Sequence, residues 1–328
     1  MDSNTGEVLS LVSLPDYNIN VRKMISEDVY TNKITKNLYE LGSVFKTFIV
    51  ALALNEKVLE SKSLINNISK VFKCSIHEIK DIHEFPEQMT VEDILIQSSN
   101  VGALKIGRKV GKEKYINFLE KLNLLSTAKF ELEEVATPLK IDWQNACKLE
   151  TVSFGHGIMT PPLQAATAYG SLTNGGYIIN PTLRINSSNS DLRKKIITEE
   201  TSKKLNILLR KVVTEEKGTA SLANIFGFEV AGKTGTAQNY QRKKENINTF
   251  ISVFPSSAPK YVLLVLLDNP KPAPHIVYNY RGKKIKVNRN EAGWNSVYVS
   301  GKIIEKIGPI LAINNDEVYN DHVVKKIN

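Results

Sequence analysis

The chain has 328 residues, 42% hydrophobic and 23% charged, proportions that allow a sizeable buried core and exclude a fibrous or disordered protein. Its net charge of +9 arises from 43 basic and 34 acidic residues spread along the chain with no basic helical stripe, so charge alone does not make a nucleic-acid binder. Its densest basic stretches, 242–244 and 281–289, read as solvated loops that would suit an anionic envelope or substrate.

Chain order begins with Thr5 to Leu14, where a turn signal precedes alternating β-formers and predicts a strand. Leu41, Gly42 and Ser43 then lead into Phe45, Phe48, Ile49, Ala51, Leu52 and Leu54. That pattern is too continuous for a surface helix and predicts a buried central one. From about 56 to 217 the sequence reads as mostly helical, most clearly at 91–108, 112–123 and 161–169. Beyond it, 228–237, 249–254 and 261–267 predict three strands of an antiparallel meander. A last amphipathic helix over 300–312 would pack on that sheet through Ile303, Ile304, Ile307 and Leu311. The expected fold class is α+β: one antiparallel sheet built from about 1–55 and 218–328, flanked by helices and interrupted by a helical insertion at about 56–217.

Two cysteines, Cys74 and Cys147, are too few for a disulfide framework and lack metal-ligand spacing with the five histidines, so buried thiols and no metal are expected. The longest apolar runs, 48–54 and 261–267, fall far short of the ~20 residues that span a bilayer. No signal peptide is legible at the N-terminus.

Three motifs carry the chemistry, in a fixed order. In Ser43-Val-Phe-Lys46, the i, i+3 spacing sets a hydroxyl beside an amine on one helical face. Lys46 can deprotonate Ser43 only as a neutral amine, and burial, the helix dipole and a second cation at Lys233 would all lower its pKa. Ser98-Ser-Asn100 sits between two helical segments, a corner from which Ser98 would relay a proton and Asn100 hold a substrate carbonyl. Lys233-Thr-Gly-Thr236 lies on a strand; Gly235 would let an extended substrate approach, while Lys233, Thr234 and Thr236 would take its carboxylate. Backbone N–H groups of Ser43 and Thr236 would form an oxyanion hole. Alone, each string is a common helix cap or turn; the order distinguishes the set.

With Tyr39 to Lys46, Gln97 to Gly102, Ser153 to Gly157, Pro162 to Ala165 and Val230 to Gln238, the sequence resembles the class B, monofunctional penicillin-binding transpeptidases, specifically the cell-division enzyme of the septum. The resemblance implies a D,D-transpeptidase without cofactor that crosslinks peptidoglycan stem peptides at D-Ala-D-Ala through an acyl-serine and is acylated by β-lactams. It makes Ser43 the nucleophile, Lys46 its base, Ser98 and Asn100 the relay and orienting pair, and Lys233, Thr234, Gly235 and Thr236 the carboxylate and oxyanion strand. His156 reads as structural, since the lysine already fills the role of base. Divisome membrane proteins are implied as partners, and an inner-membrane anchor with the catalytic domain in the periplasm. Relatives carry that anchor and a pedestal ahead of the catalytic domain, so the chain reads as a fragment starting at an internal methionine. It departs from the family at Leu41, where proline is common, at Tyr298, and at 281–291, which looks inserted. A serine β-lactamase-like hydrolase and a non-catalytic penicillin-binding scaffold or sensor are the alternatives.

Overall fold

A computed structural model describes residues 1–21, 26–68, 71–185, 194–239 and 245–313. The basic stretch at 242–244 lies outside the described residues. From the N-terminus run α1 (Glu27–Tyr30), a 3₁₀ turn (Gly42–Phe45) continuous with α2 (Lys46–Asn55), and short strands β1 (Leu64–Ile65), β2 (Val71–Cys74), β3 (His77–Lys80) and β4 (Met89–Thr90). Helices α3 (Val91–Gln97), α4 (Asn100–Val110), α5 (Lys112–Lys121), α6 (Lys148–Ser153), α7 (Pro162–Thr173) and α8 (Glu199–Thr214) follow. The chain then forms β5 (Ala231–Asn239), β6 (Glu245–Phe254), β7 (Tyr261–Asp268), β8 (Tyr278–Tyr280), β9 (Lys283–Ile285) and α9 (Ser296–Ile313).

The meander is an antiparallel sheet in the order β5-β6-β7, with Thr234 opposite Phe250 and Phe250 opposite Val265. Alternation along β6 divides the core. Ile247, Ile251 and Val253 join the cluster that holds α2 and α7, whereas Phe250 and Phe254 join a second cluster with Val297 and Ile304 of α9. The sheet is thus buried on both faces, and of the residues expected to pack the last helix on it Ile304 and Leu311 do so, joined by Val297, while Ile303 and Ile307 are half-buried outside that cluster. Helix α2 is apolar almost all round, and its residues from Lys46 to Leu54 are all buried. Tyr169 of α7 anchors it, donating its hydroxyl to the Val44 carbonyl at 2.8 Å and lying 2.7 Å from the Thr47 hydroxyl.

Three expectations need correction. The stretch 5–14 is not a strand. Instead Met1 to Ser3 run beside β7, with Val262 N–H donating to Met1 O at 2.9 Å and Ser3 N–H to Lys260 O at 2.7 Å. Leu9, Val12 and Leu14 are 51%, 62% and 67% exposed, so the alternation there has no buried face to hold a strand in register. Second, the helical stretch is interrupted by the β2–β3 hairpin and the β1–β4 pair, whose short strands lack a periodicity long enough to read.

Third, Cys74 and Cys147 are joined in a disulfide with their Cα atoms 5.8 Å apart. They are 73 residues apart, and only the packing of the hairpin, through Ile79, against Leu104 of α4 brings them together. In the chain-entropy view, closing a loop of that length stabilises the fold by about 4 kcal/mol. Reduction, or Cys147→Ser, is therefore expected to lower the thermal midpoint by roughly 6 °C, read by calorimetry with and without reductant. An unchanged midpoint would show that the bridge does not constrain the unfolded chain.

Candidate active site

Ser43 lies in the 3₁₀ turn and Lys46 opens α2, so one turn separates them and Lys46 Nζ is 2.9 Å from Ser43 Oγ. The amine is fully buried and has three further partners: Ser98 O at 2.5 Å, Asn100 Oδ1 at 2.7 Å and Ser98 Oγ at 3.1 Å. Ser98 adopts a left-handed conformation, φ 66°, that ends α3 and turns the chain into α4. This is the corner expected from the sequence. It aims both Ser98 oxygens and the Asn100 side chain at one nitrogen.

Lys233 approaches from the other side. Its buried Nζ donates to Ser98 Oγ at 2.9 Å and to Thr234 O at 3.2 Å, so the Ser98 hydroxyl bridges two lysine amines. Burial lowers Lys46 from its ordinary 10.5 to about 7, with the Asp81 charge pulling it back up. For Lys233, burial and then the charge on Lys46 push the pKa well below its ordinary value. A neutral Lys46 can accept the Ser43 proton.

A cleft of about 890 Å³ opens above these groups and is lined by Ser43, Ser98, Asn100, Thr234 and Thr236. Lys46, Lys233 and Gly235 lie beneath its surface. The Thr234 hydroxyl is 2.8 Å from that of Thr219, and Thr236 Oγ1 accepts the Ala292 N–H at 3.3 Å. Gly235 has a reason other than substrate approach: a Cβ there would lie 2.0 Å from the Leu41 carbonyl oxygen. Its lack of a side chain lets β5 touch the serine turn. Gly155, at φ +88°, supports the turn too, since a Cβ there would meet the Gly42 carbonyl oxygen at 1.9 Å. Glu40 holds that loop, accepting the Gly157 N–H at 2.9 Å with His156 Nδ1 at 3.3 Å.

Sequence reading missed Asp81. It follows β3 directly, is 6% exposed, and accepts from the Ser99 hydroxyl at 2.8 Å, the Asn100 N–H and the Val101 N–H at 3.4 Å. Lys80 O next to it accepts the Asn100 side-chain amide at 2.8 Å. Burial raises the Asp81 pKa, while those bonds and the Lys46 charge oppose the rise. Thr219 was also missed. A lone Asp in Lys-Asp-Ile and a Thr in Gly-Thr-Ala carry no signal at the sequence level.

Among the described residues no group of His, Cys, Asp and Glu side chains forms a metal site. A sheet covered on both faces by helices, with a serine hydroxyl against a buried amine at the base of a cleft, defines the penicillin-binding and serine β-lactamase-like class of folds. The chain belongs to the family described as penicillin binding protein transpeptidase domain, whose model matches residues 1–288. It is 30% identical over 322 residues to the probable peptidoglycan D,D-transpeptidase FtsI of Caulobacter vibrioides, covering 94% of this chain and 53% of that protein. The peptidoglycan D,D-transpeptidase FtsI of Escherichia coli is 29% identical over 277 residues, 83% of this chain and 46% of that one. The chain thus spans about half the length of these curated relatives. In three dimensions it resembles the apo transpeptidase domain of Burkholderia pseudomallei penicillin-binding protein 3, with a TM-score of 0.78 and 26% identity over 96% of this chain and 87% of that one.

Proposed function

We propose that this chain is the catalytic part of a septal peptidoglycan D,D-transpeptidase. The observation that carries the reading is Lys46 Nζ, fully buried, shifted to about 7 and 2.9 Å from Ser43 Oγ. Ser43 Oγ passes its proton to Lys46 and attacks the carbonyl of the penultimate D-alanine of a stem peptide. The C–N bond to the last D-alanine then breaks, and Ser98, bridging Lys46 and Lys233, returns the proton to the leaving amine. An amine of a neighbouring stem attacks the acyl-serine, its C–N bond forms as the C–O bond to Ser43 breaks, and Ser43 regains its proton. Asn100 orients the donor's amide, and the Thr234 and Thr236 hydroxyls take its carboxylate, with Lys233 supporting Thr234 from beneath. β5 ends the sheet order, which suits pairing with an extended donor.

The whole protein is proposed to work beside divisome membrane proteins at the bacterial inner membrane, with this part in the periplasm. The Cys74–Cys147 bridge fits an oxidising compartment. Among the described residues no helix is long and apolar enough to cross a membrane.

A fluorescent penicillin, followed over hours and mapped by mass spectrometry, tests the reading. A persistent label on tryptic peptide 37–46, whose single serine is Ser43, is the expected result. Rapid loss of that label would make the chain a hydrolase instead. No label at any pH would leave a non-catalytic scaffold.

A further inference from the structure

The stretch that looks inserted in the sequence, 281–291, forms the turn and second strand of the β8–β9 hairpin and the segment after it. Residues 281–291 contain Arg281, Lys283, Lys284, Lys286 and Arg289 against a single acid, Glu291, and all five cations are exposed. The hairpin is docked firmly. Tyr278 packs edge-on to Trp294 and Tyr298 with centroids 5.6 and 5.0 Å apart, and Tyr280 lies 5.0 Å from Trp294. Arg281 donates to the Glu215 carbonyl at 3.0 Å, tying the hairpin to the loop that carries Glu216 and Lys217.

Its position is what gives the charge a use. Tyr280, Trp294, Arg289 and Lys217 line the cleft above Ser43. In the antiparallel register Tyr280 pairs with Lys283 and Asn279 with Lys284, and directly paired residues share a face. Lys283 therefore stands on the cleft side of the hairpin, while Lys284 stands on the other and contributes only through its longer-range field. Across the whole cleft lining the charges balance, with Glu40, Glu78, Glu216 and Glu291 against Lys80, Lys148, Lys217 and Arg289, and Glu291 is 3.6 Å from Arg289. The excess positive charge at this edge therefore comes from Lys283, Lys284 and Lys286, exposed on the hairpin just outside the lining, and a rim with excess charge of one sign concentrates ligands of the opposite sign.

We propose that this hairpin is an electrostatic capture site for carboxylate-rich peptide acyl donors, set by Lys283, Lys284, Lys286 and Arg289. The inference rests on the transpeptidase reading and deepens it. The site acts on encounter, through carboxylates remote from the scissile bond, and leaves the chemistry at Ser43 to the groups beneath. It therefore selects among donors by charge.

The test compares second-order acylation rates for benzylpenicillin and for its derivative bearing an extra side-chain carboxylate. In the parent protein at about 10 mM salt the dianion's relative rate should be raised, and at about 0.5 M salt that advantage should shrink roughly fivefold as the field is screened. The triple change Lys283→Glu, Lys284→Glu, Lys286→Glu should remove the advantage at low salt, and the Gln triple should lie between. A ratio that stays within twofold across salt and across both triples would overturn the proposal. Melting curves of the variants separate misfolding from lost capture, because a misfolded variant loses both rates while lost capture changes their ratio. Failure of the parent to label with either penicillin would instead remove the transpeptidase reading.

Discussion

Lys46→Arg is expected to slow the acylation of Ser43 by a fluorescent penicillin by about 10³-fold, within the range for removal of a general base. The substitution keeps a long cationic chain in α2. It removes the ability to lose a proton, because a guanidinium stays charged at every accessible pH. Lys46 itself is brought to about 7 by burial against the opposing effect of Asp81, so the parent's acylation rate should rise with pH through about 7 and level off above it. Lys46→Arg should show no such rise. The sign for stability is the same: the unfolded chain holds its proton on this residue up to about 10.5 while the folded one releases it near 7. Folding is therefore favoured increasingly as pH rises across that window. A parent rate flat from pH 5 to 9 would show that Lys46 is not the base.

Much of this site was legible before any geometry. The types and order of Ser43, Lys46, Ser98, Asn100 and Lys233 prescribe a hydroxyl among amines, and the structure brings all five together around Lys46 and the Ser98 hydroxyl. The buried α2 and the β5–β6–β7 meander were legible as well, because both have long, uniform patterns that burial on all sides imposes. What stayed hidden depends on contacts between distant segments. Apolar alternation over 5–14 reads as a strand, yet its pairing is confined to a single bridge, Glu7 with Thr182, and Leu9, Val12 and Leu14 lie exposed. Cys74 and Cys147 pair only because a hairpin folds back beside α6, and Gly235 also makes room for the Leu41 carbonyl, a contact that carries no local signal. Strand pairing, a disulfide partner and a close backbone contact are properties of the packed chain, and local sequence does not encode them singly.

Asp81 is the hidden residue with the largest consequence. It is buried at the start of α4, where its carboxylate satisfies the Asn100 and Val101 N–H groups and the Ser99 hydroxyl, an N-terminal anchor set from outside the helix. That anchor fixes Asn100, and Asn100 Oδ1 lies 2.7 Å from Lys46 Nζ. Asp81→Ala leaves buried donors without their acceptor, at about 1–3 kcal/mol each, and frees the corner to shift. A displacement of about 1 Å at the base is enough to slow a reaction roughly 10²-fold, and a loss of that size in acylation is the expected outcome. Asp81→Asn separates anchoring from charge. Its Oδ1 can still accept the Asn100 N–H, so the corner is largely kept, but the negative charge that raises the Lys46 pKa is gone. The pH at which acylation reaches half its plateau should then fall below the parent's, an acid shift that a loosened helix cap alone would not produce. If Asp81→Asn lowers the plateau and leaves the midpoint in place, Asp81 acts only as an anchor, and burial alone sets the Lys46 amine.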